Sequence, residues 1–188
     1  MKLINIMGSP RKQGNSARIA NACAEEAVAL GAEVESHYLN TLTYRGCQGC
    51  EKCHGDNDKC VLKDDLTPLL DSMHDADIVL LSSPVYYGDT SGQFKTFLDR
   101  TWSFVDVDYS RDFPYVTRLP EGKKMIFILT QADVEGRHDD VIERYSEFFK
   151  LYGFDFKVVR GYGLYTAGDD VSATMETAIG HIREFMGQ

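Results

Sequence analysis

Apolar residues fall into short unbroken runs, separated by stretches in which they recur at helical spacing. KLINIM, residues 2 to 7, is one such run and meets Gly8-Ser9-Pro10, so it reads as a buried strand ending in a turn. From Ser16 to Leu30, Ile19, Ala20, Cys23, Ala27 and Leu30 share one helical face, with Asn15 or Ser16 at its cap and Gly31 at its end. Glu33 to Leu39 is the second strand, and Asp65 caps a short helix through Met73. IVLLSS, 78 to 83, is the third strand, followed by a helix from Gly92 to about Phe104. Residues 105 to 121 carry Pro114 and Pro120 without a clean period and read as a long surface loop. MIFILT, 125 to 130, is the fourth strand, 139 to 152 a helix, 154 to 161 the fifth strand, and 172 to 185 a last helix.

Strand and helix alternate five times, and strands one, three and four are almost wholly apolar. Strands covered on both faces look like this, and right-handed crossovers join them into a parallel sheet. The expected fold is α/β: a flavodoxin-like doubly wound five-stranded parallel sheet of order 2-1-3-4-5, with helices on both faces. The expected organisation is a single domain, 1–188, with a cysteine-rich loop insertion at 45–64. Such a chain buries roughly 70% of its unfolded surface and needs no disulfides.

In open sheets of this kind, ligands bind beyond the carboxyl ends of the strands where the strand order reverses. GSPRKQGNS, 8 to 16, lies there, between the first strand and the first helix. Free N–H groups at a helix start favour phosphate. Ser9, Asn15 and Ser16 add neutral donors and Arg11 a two-pronged cation. Gly14 is followed by Asn-Ser, so the loop is neither a nucleoside triphosphate loop nor a G-x-G-x-x-G dinucleotide loop. A terminal monophosphate such as that of FMN fits it. SSPVYYG, from 82, leaves the third strand toward the same edge. There Pro84 stiffens the chain, Tyr86 and Tyr87 offer flat surface, and Gly88 permits close approach. Gln131-Ala132-Asp133 leaves the fourth strand on that side as well.

Four cysteines lie within fourteen residues, Cys47, Cys50, Cys53 and Cys60, spaced C-x2-C-x2-C-x6-C. One [4Fe–4S] cluster takes four thiolates. Zinc, with His54 as a substitute ligand, redox-active thiols and an inert loop stay open beside it. Cys23, on the inner face of the first helix, reads as a small buried hydrophobe. Asp64 and Asp65 read as helix caps.

GSPRKQGNS followed by SPVYYG and GQFKTFLDR resembles the NADPH-dependent FMN reductase group of flavodoxin-like proteins, and the cysteine segment with VLKDD after it resembles the iron–sulfur flavoprotein branch. The resemblance implies an FMN-dependent oxidoreductase in which Ser9, Arg11, Asn15 and Ser16 hold the phosphate. Pro84, Val85, Tyr86, Tyr87 and Gly88 would line the flavin ring. It also implies a homodimer or homotetramer with the flavin near a subunit interface. NAD(P)H, ferredoxin or a quinone are the expected electron partners, and the flavin carries the chemistry with no catalytic side chain. A non-enzymatic electron carrier is the competing class.

A net charge of −9 and the lack of a basic stripe argue against nucleic acid. No apolar run is long enough to cross a membrane. The start, MKLINIMGSP, lacks the longer apolar core of a signal peptide, which points to the cytoplasm, where thiols stay reduced.

Overall fold

The computed structural model describes residues 1–54 and 57–188. Five parallel strands form the sheet: β1 (Lys2–Met7), β2 (Glu33–Tyr38), β3 (Ile78–Tyr86), β7 (Lys124–Thr130) and β8 (Asp155–Gly161), in the order β2-β1-β3-β7-β8. In sequence terms this is the expected 2-1-3-4-5 order. The strands β4 (Asp89–Thr90), β5 (Val105–Val107) and β6 (Tyr115–Thr117) lie outside that ladder. The helices are α1 (Asn15–Ala29), α2 (Leu66–Asp75), α3 (Gly92–Arg100), α4 (Asp140–Leu151) and α5 (Ser172–Met186).

Alternation along the strands feeds two cores. Ile4, Ile6, Val79, Leu81, Phe127 and Leu129 pack with α2, α3 and α4 on one face, while Leu3, Met7, Ile78, Leu80, Ile126 and Ile128 pack with α1 and α5 on the other. The three central strands β1, β3 and β7 are therefore buried almost throughout. The edge strand β2, EVESHY, carries charged side chains and is nowhere fully buried, a common guard against edge pairing. Gly31 ends α1 at φ +87°: its N–H bonds Val28 O, and that of Ala32 bonds Ala27 O. This paired closure satisfies two of the helix's last carbonyls.

Two expectations are corrected. Strand β3 does not stop at Ser83 but runs to Tyr86, with Pro84 opposite Thr130 in the ladder. A proline near a strand's end gives up little hydrogen bonding, so it ends the ladder rather than preventing it. Residues 105 to 121 are not all loop: β5 and β6 form an antiparallel hairpin with Asp106 opposite Val116. Phe104, Val105 and Leu119 are buried at its base. Strands of three residues are too short to show a period.

Candidate functional site

The connections from β1, β3, β7 and β8 into the next elements all leave carboxyl ends of the sheet. Register places Met7 of β1 beside Ser82 of β3, so the phosphate loop and the aromatic turn start from adjacent positions. Gly8 N–H bonds Ser82 O at 2.7 Å. The Gly8 carbonyl accepts from Ser91 Oγ at 2.6 Å and from Gln93 Nε2 at 2.9 Å. The start of α3 thus braces the phosphate loop.

Within that loop, Ser9 Oγ donates to Arg11 O at 2.8 Å and accepts from Arg11 N–H at 3.2 Å. Ser9 shapes the loop in this conformation and does not reach outward. A Cβ on Gly14 would stand 2.5 Å from Ser9 Oγ and 3.2 Å from Arg11 O, so only glycine fits the turn. Gly14 is also the N-cap of α1; no side chain caps this end and no acidic residue sits in its first turn. Its first N–H groups therefore keep the partial positive charge that attracts an anion. Ser16 is buried at that end, and Arg11 is exposed beside it. Asn15 donates to Thr166 O at 2.9 Å, and Arg18 donates to Ala167 O and Asp169 O at 2.9 Å each. The β8–α5 connection is thus a fourth wall, one that sequence reasoning missed because 162–171 lacks a recognisable motif. Its signal was only position, at the carboxyl end of a strand.

Pro84, Val85 and Tyr86 are strand residues, and Tyr86 pairs with Asp89 across a two-residue turn. Tyr87 and Gly88 occupy that turn at φ +51° and +74°, the pattern of a type I′ hairpin. Glycine adopts this freely, but tyrosine does so at a cost of about 1–3 kcal/mol. The Tyr87 side chain is fully exposed. Asp89 anchors the turn to α4, accepting from Tyr145 Oη at 2.7 Å and pairing with Arg144. A Cβ on Gly88 would lie 3.1 Å from the His138 ring, which brings the β7–α4 connection against the same turn. Gln131 is buried and donates to Val134 O and Arg137 O, so it organises that connection. Replacing Tyr87 with Asn, which tolerates this conformation, should raise stability by about 1 kcal/mol. If Tyr87 borders a flavin ring, as the sequence resemblance implies, the same change should weaken flavin binding. Urea unfolding and an FMN titration of one variant measure both.

The cysteine segment leaves the edge strand β2 and crosses α3 before entering α2. Tyr44 Oη donates to Gln93 O at 2.7 Å, and Gly46 lies against Thr96. Cys47, Cys50, Cys53 and Cys60 all line one narrow cavity with Leu62 and Trp102. Cys47 and Cys50 are exposed, Cys53 and Cys60 half-buried. Burial pushes the Cys53 thiol up, a backbone hydrogen bond partly opposes this, and charge on Cys60, Cys47 and Cys50 adds to it. The four sulfurs therefore share one electrostatic neighbourhood. Among the described residues, however, no group of three His, Cys, Asp or Glu is arranged to hold a metal ion. The donor set that lines this cavity is soft and all sulfur, a chemistry that suits an iron–sulfur cluster better than a hard cation. Cys23 stands apart: it is fully buried on α1, with its thiol pushed up to about 12 by burial and then by Glu26. His54 packs edge-on to Trp102 at 5.4 Å.

The expected cap at Asp65 is corrected: Asp64, not Asp65, bonds the start of α2, and it does more than cap. Asp65 Oδ2 accepts from Thr43 N–H at 2.7 Å and makes no side-chain cap to α2. Asp64 Oδ1 accepts from Leu66 N–H, while its Oδ2 accepts from Arg45 N–H. Burial pushes the Asp64 carboxyl up, but hydrogen bonds from Arg100 and Arg45 outweigh it and hold the group below its ordinary value. Two cavities, of about 430 and 490 Å³, flank the cysteine segment and not the phosphate loop.

The sequence pattern of NADPH-dependent FMN reductases matches residues 1–139, spanning both loops and the cysteine segment. The chain belongs to the NADPH-dependent FMN reductase family. An iron-sulfur flavoprotein of Archaeoglobus fulgidus is 39% identical over 100 residues, which are 53% of this chain and 45% of that protein. One from Methanocaldococcus jannaschii is 34% identical over 149 residues, 79% of this chain and 71% of that protein. The chain spans about half the length of the first of these relatives. An FMN-dependent NADH-azoreductase from Bacillus anthracis, solved in complex with FMN, superposes with a TM-score of 0.72 at 16% identity over 100% of this chain and 98% of that one. At that identity the likeness speaks for the flavodoxin-like fold alone. No helix among the described residues is long and apolar enough to cross a membrane.

Proposed function

We propose that this family member is an FMN-dependent oxidoreductase that relays electrons between FMN and one [4Fe–4S] cluster on Cys47, Cys50, Cys53 and Cys60. The observation that carries the reading is α3. Its start braces the phosphate loop through Ser91 and Gln93, and its end touches Cys60 through Arg100. One helix, nine residues and about 14 Å long at 1.5 Å per residue, joins the two proposed sites. When bound, FMN supplies two-electron acceptance from a hydride donor and one-electron release.

The chain's own residues bind and orient. The uncapped start of α1 with Arg11 and Ser16 would hold the phosphate, while Asn15 and Arg18 fix the wall at 166–169. Pro84, Val85, Tyr86, Tyr87 and Gly88 would border the ring. Main-chain N–H groups of the Tyr87–Gly88 turn would offer donors to its polar edge, an electrostatic role that needs no proton transfer. Exposed Tyr87 and Tyr165 fit an edge completed by a second copy of the chain, as a homodimer or homotetramer. Arg11→Ala should weaken FMN binding by about 1.5–3 kcal/mol, the value of a charged hydrogen bond. Fluorescence titration of the flavin-free protein reads this, and an unchanged affinity would remove Arg11 from the phosphate site.

A second reading is an NAD(P)H-dependent FMN or quinone reductase without a cluster. It is supported by the match of residues 1–139 to the NADPH-dependent FMN reductase family, which spans the phosphate and flavin-ring loops. Steady-state NAD(P)H consumption with FMN or a quinone tests the enzymatic reading common to both. Sustained turnover is the expected result. Reduction by a protein donor alone would make the chain an electron carrier.

A further inference from the structure

Arg100 is the largest fully buried side chain among the described residues, on the inner face of α3 in series with Phe94 and Phe97. Its NH1 donates to Arg45 O at 2.8 Å and to Asp64 Oδ2 at 2.8 Å, and NH2 donates to Asp64 Oδ1 at 3.3 Å. Those contacts complete a forked ion pair. The remaining prong, Nε–H, donates to Cys60 Sγ at 3.1 Å. One guanidinium therefore ties together the approach to Cys47, the sulfur of Cys60 and the entry to α2.

An ion pair with Asp64 needs only the terminal nitrogens. Burying such a pair is also a weak source of stability, since an apolar pair of similar volume often serves as well. What an apolar pair cannot supply is a fixed positive charge and an N–H directed at a sulfur. Cys60 lines the cavity shared by all four cysteines, so this charge is placed at the wall of the proposed centre. Hydrogen bonds to ligand sulfurs and nearby charge set the potentials of iron–sulfur centres.

Building on the cluster reading above, we propose that Arg100 is a positioning residue for the sulfur centre, fixing Cys60 Sγ in its place and raising the centre's reduction potential. On one-electron reduction, by dithionite or by reduced flavin, the centre gains one negative charge spread over iron and sulfur. The Nε–H donor and the guanidinium charge stabilise that reduced form more than the oxidised one. A residue that merely filled space would leave this equilibrium unmoved.

The test uses the whole chain purified without oxygen, as the unaltered protein, the paired variant Arg100→Gln/Asp64→Asn, which leaves no buried charge unpaired, and Arg100→Lys. Iron, sulfide and FMN are counted, and the midpoint of the centre is read by dye-mediated titration in the loaded fraction. The paired variant should favour the oxidised centre by about tenfold, a downward shift of about 59 mV. Arg100→Lys, too short to reach both Asp64 and Cys60, should also shift downward. A loaded variant with the unaltered midpoint would overturn the role of Arg100. Loss of iron from both variants with FMN retained would support it, because the placement of Cys60 and of the chain before Cys47, both held by Arg100, has then failed. An unaltered chain that binds FMN but never iron would instead overturn the cluster reading, and the inference with it.

Discussion

Gly14→Ala should reduce FMN affinity at least about tenfold, or about 1.4 kcal/mol. The added Cβ would meet Ser9 Oγ at 2.5 Å and the Arg11 carbonyl at 3.2 Å. Ser9 could turn away only by giving up both hydrogen bonds with the Arg11 main chain, and these hold the loop's curve. The carbonyl has no such freedom. The N–H groups at the start of α1 would then no longer converge with Arg11 on one anion. Overpacking of this kind costs about 1–3 kcal/mol of stability as well, so unfolding and FMN titration belong together. Full FMN affinity in a folded Gly14→Ala protein would show that the phosphate sits elsewhere.

Alanine in place of Cys47, Cys50, Cys53 or Cys60 should each remove bound iron, from about four per chain to near zero. Cys23→Ala should leave iron unchanged. All four line one cavity, whereas Cys23 is sealed in the α1 core with its thiol held neutral. FMN should survive each loss, because its loops leave β1, β3, β7 and β8 while the cysteines leave β2. Iron and flavin analysis of the five variants separates a four-sulfur unit from a set of independent thiols. If one of the four proves dispensable, the centre is not the cluster drawn here.

The sheet order was legible because β1, β3 and β7 are unbroken apolar runs, which only central parallel strands tolerate. The site edge followed from it, since loops after such strands converge by topology. The hairpin at 105–117 was not legible: its strands are three residues long, and its burial depends on Phe104 and Leu119, which have no periodic partners nearby. Pro84 misled in another way. It reads as a breaker, yet it sits at the last rung of a ladder that no longer needs its N–H. Among the site residues, Gly88 could be read from loop chemistry, but the close approach at Gly14 could not, Ser9 binds its own loop and Asn15 braces a distant one. Neither partner is visible without three dimensions. The role of Arg100 was hidden inside GQFKTFLDR, although its spacing from Phe94 and Phe97 places it on the buried face, where a lone arginine requires an acceptor.

One chain is proposed to carry both FMN and a four-cysteine iron–sulfur centre. The most direct test of this proposal is composition after purification without oxygen: flavin, iron and acid-labile sulfide per chain, with the visible spectrum. One FMN and about four iron and four sulfide are expected, with a broad absorbance beyond the flavin bands. A protein that takes up no FMN, or that holds zinc or no metal after reconstitution with iron and sulfide, would contradict it.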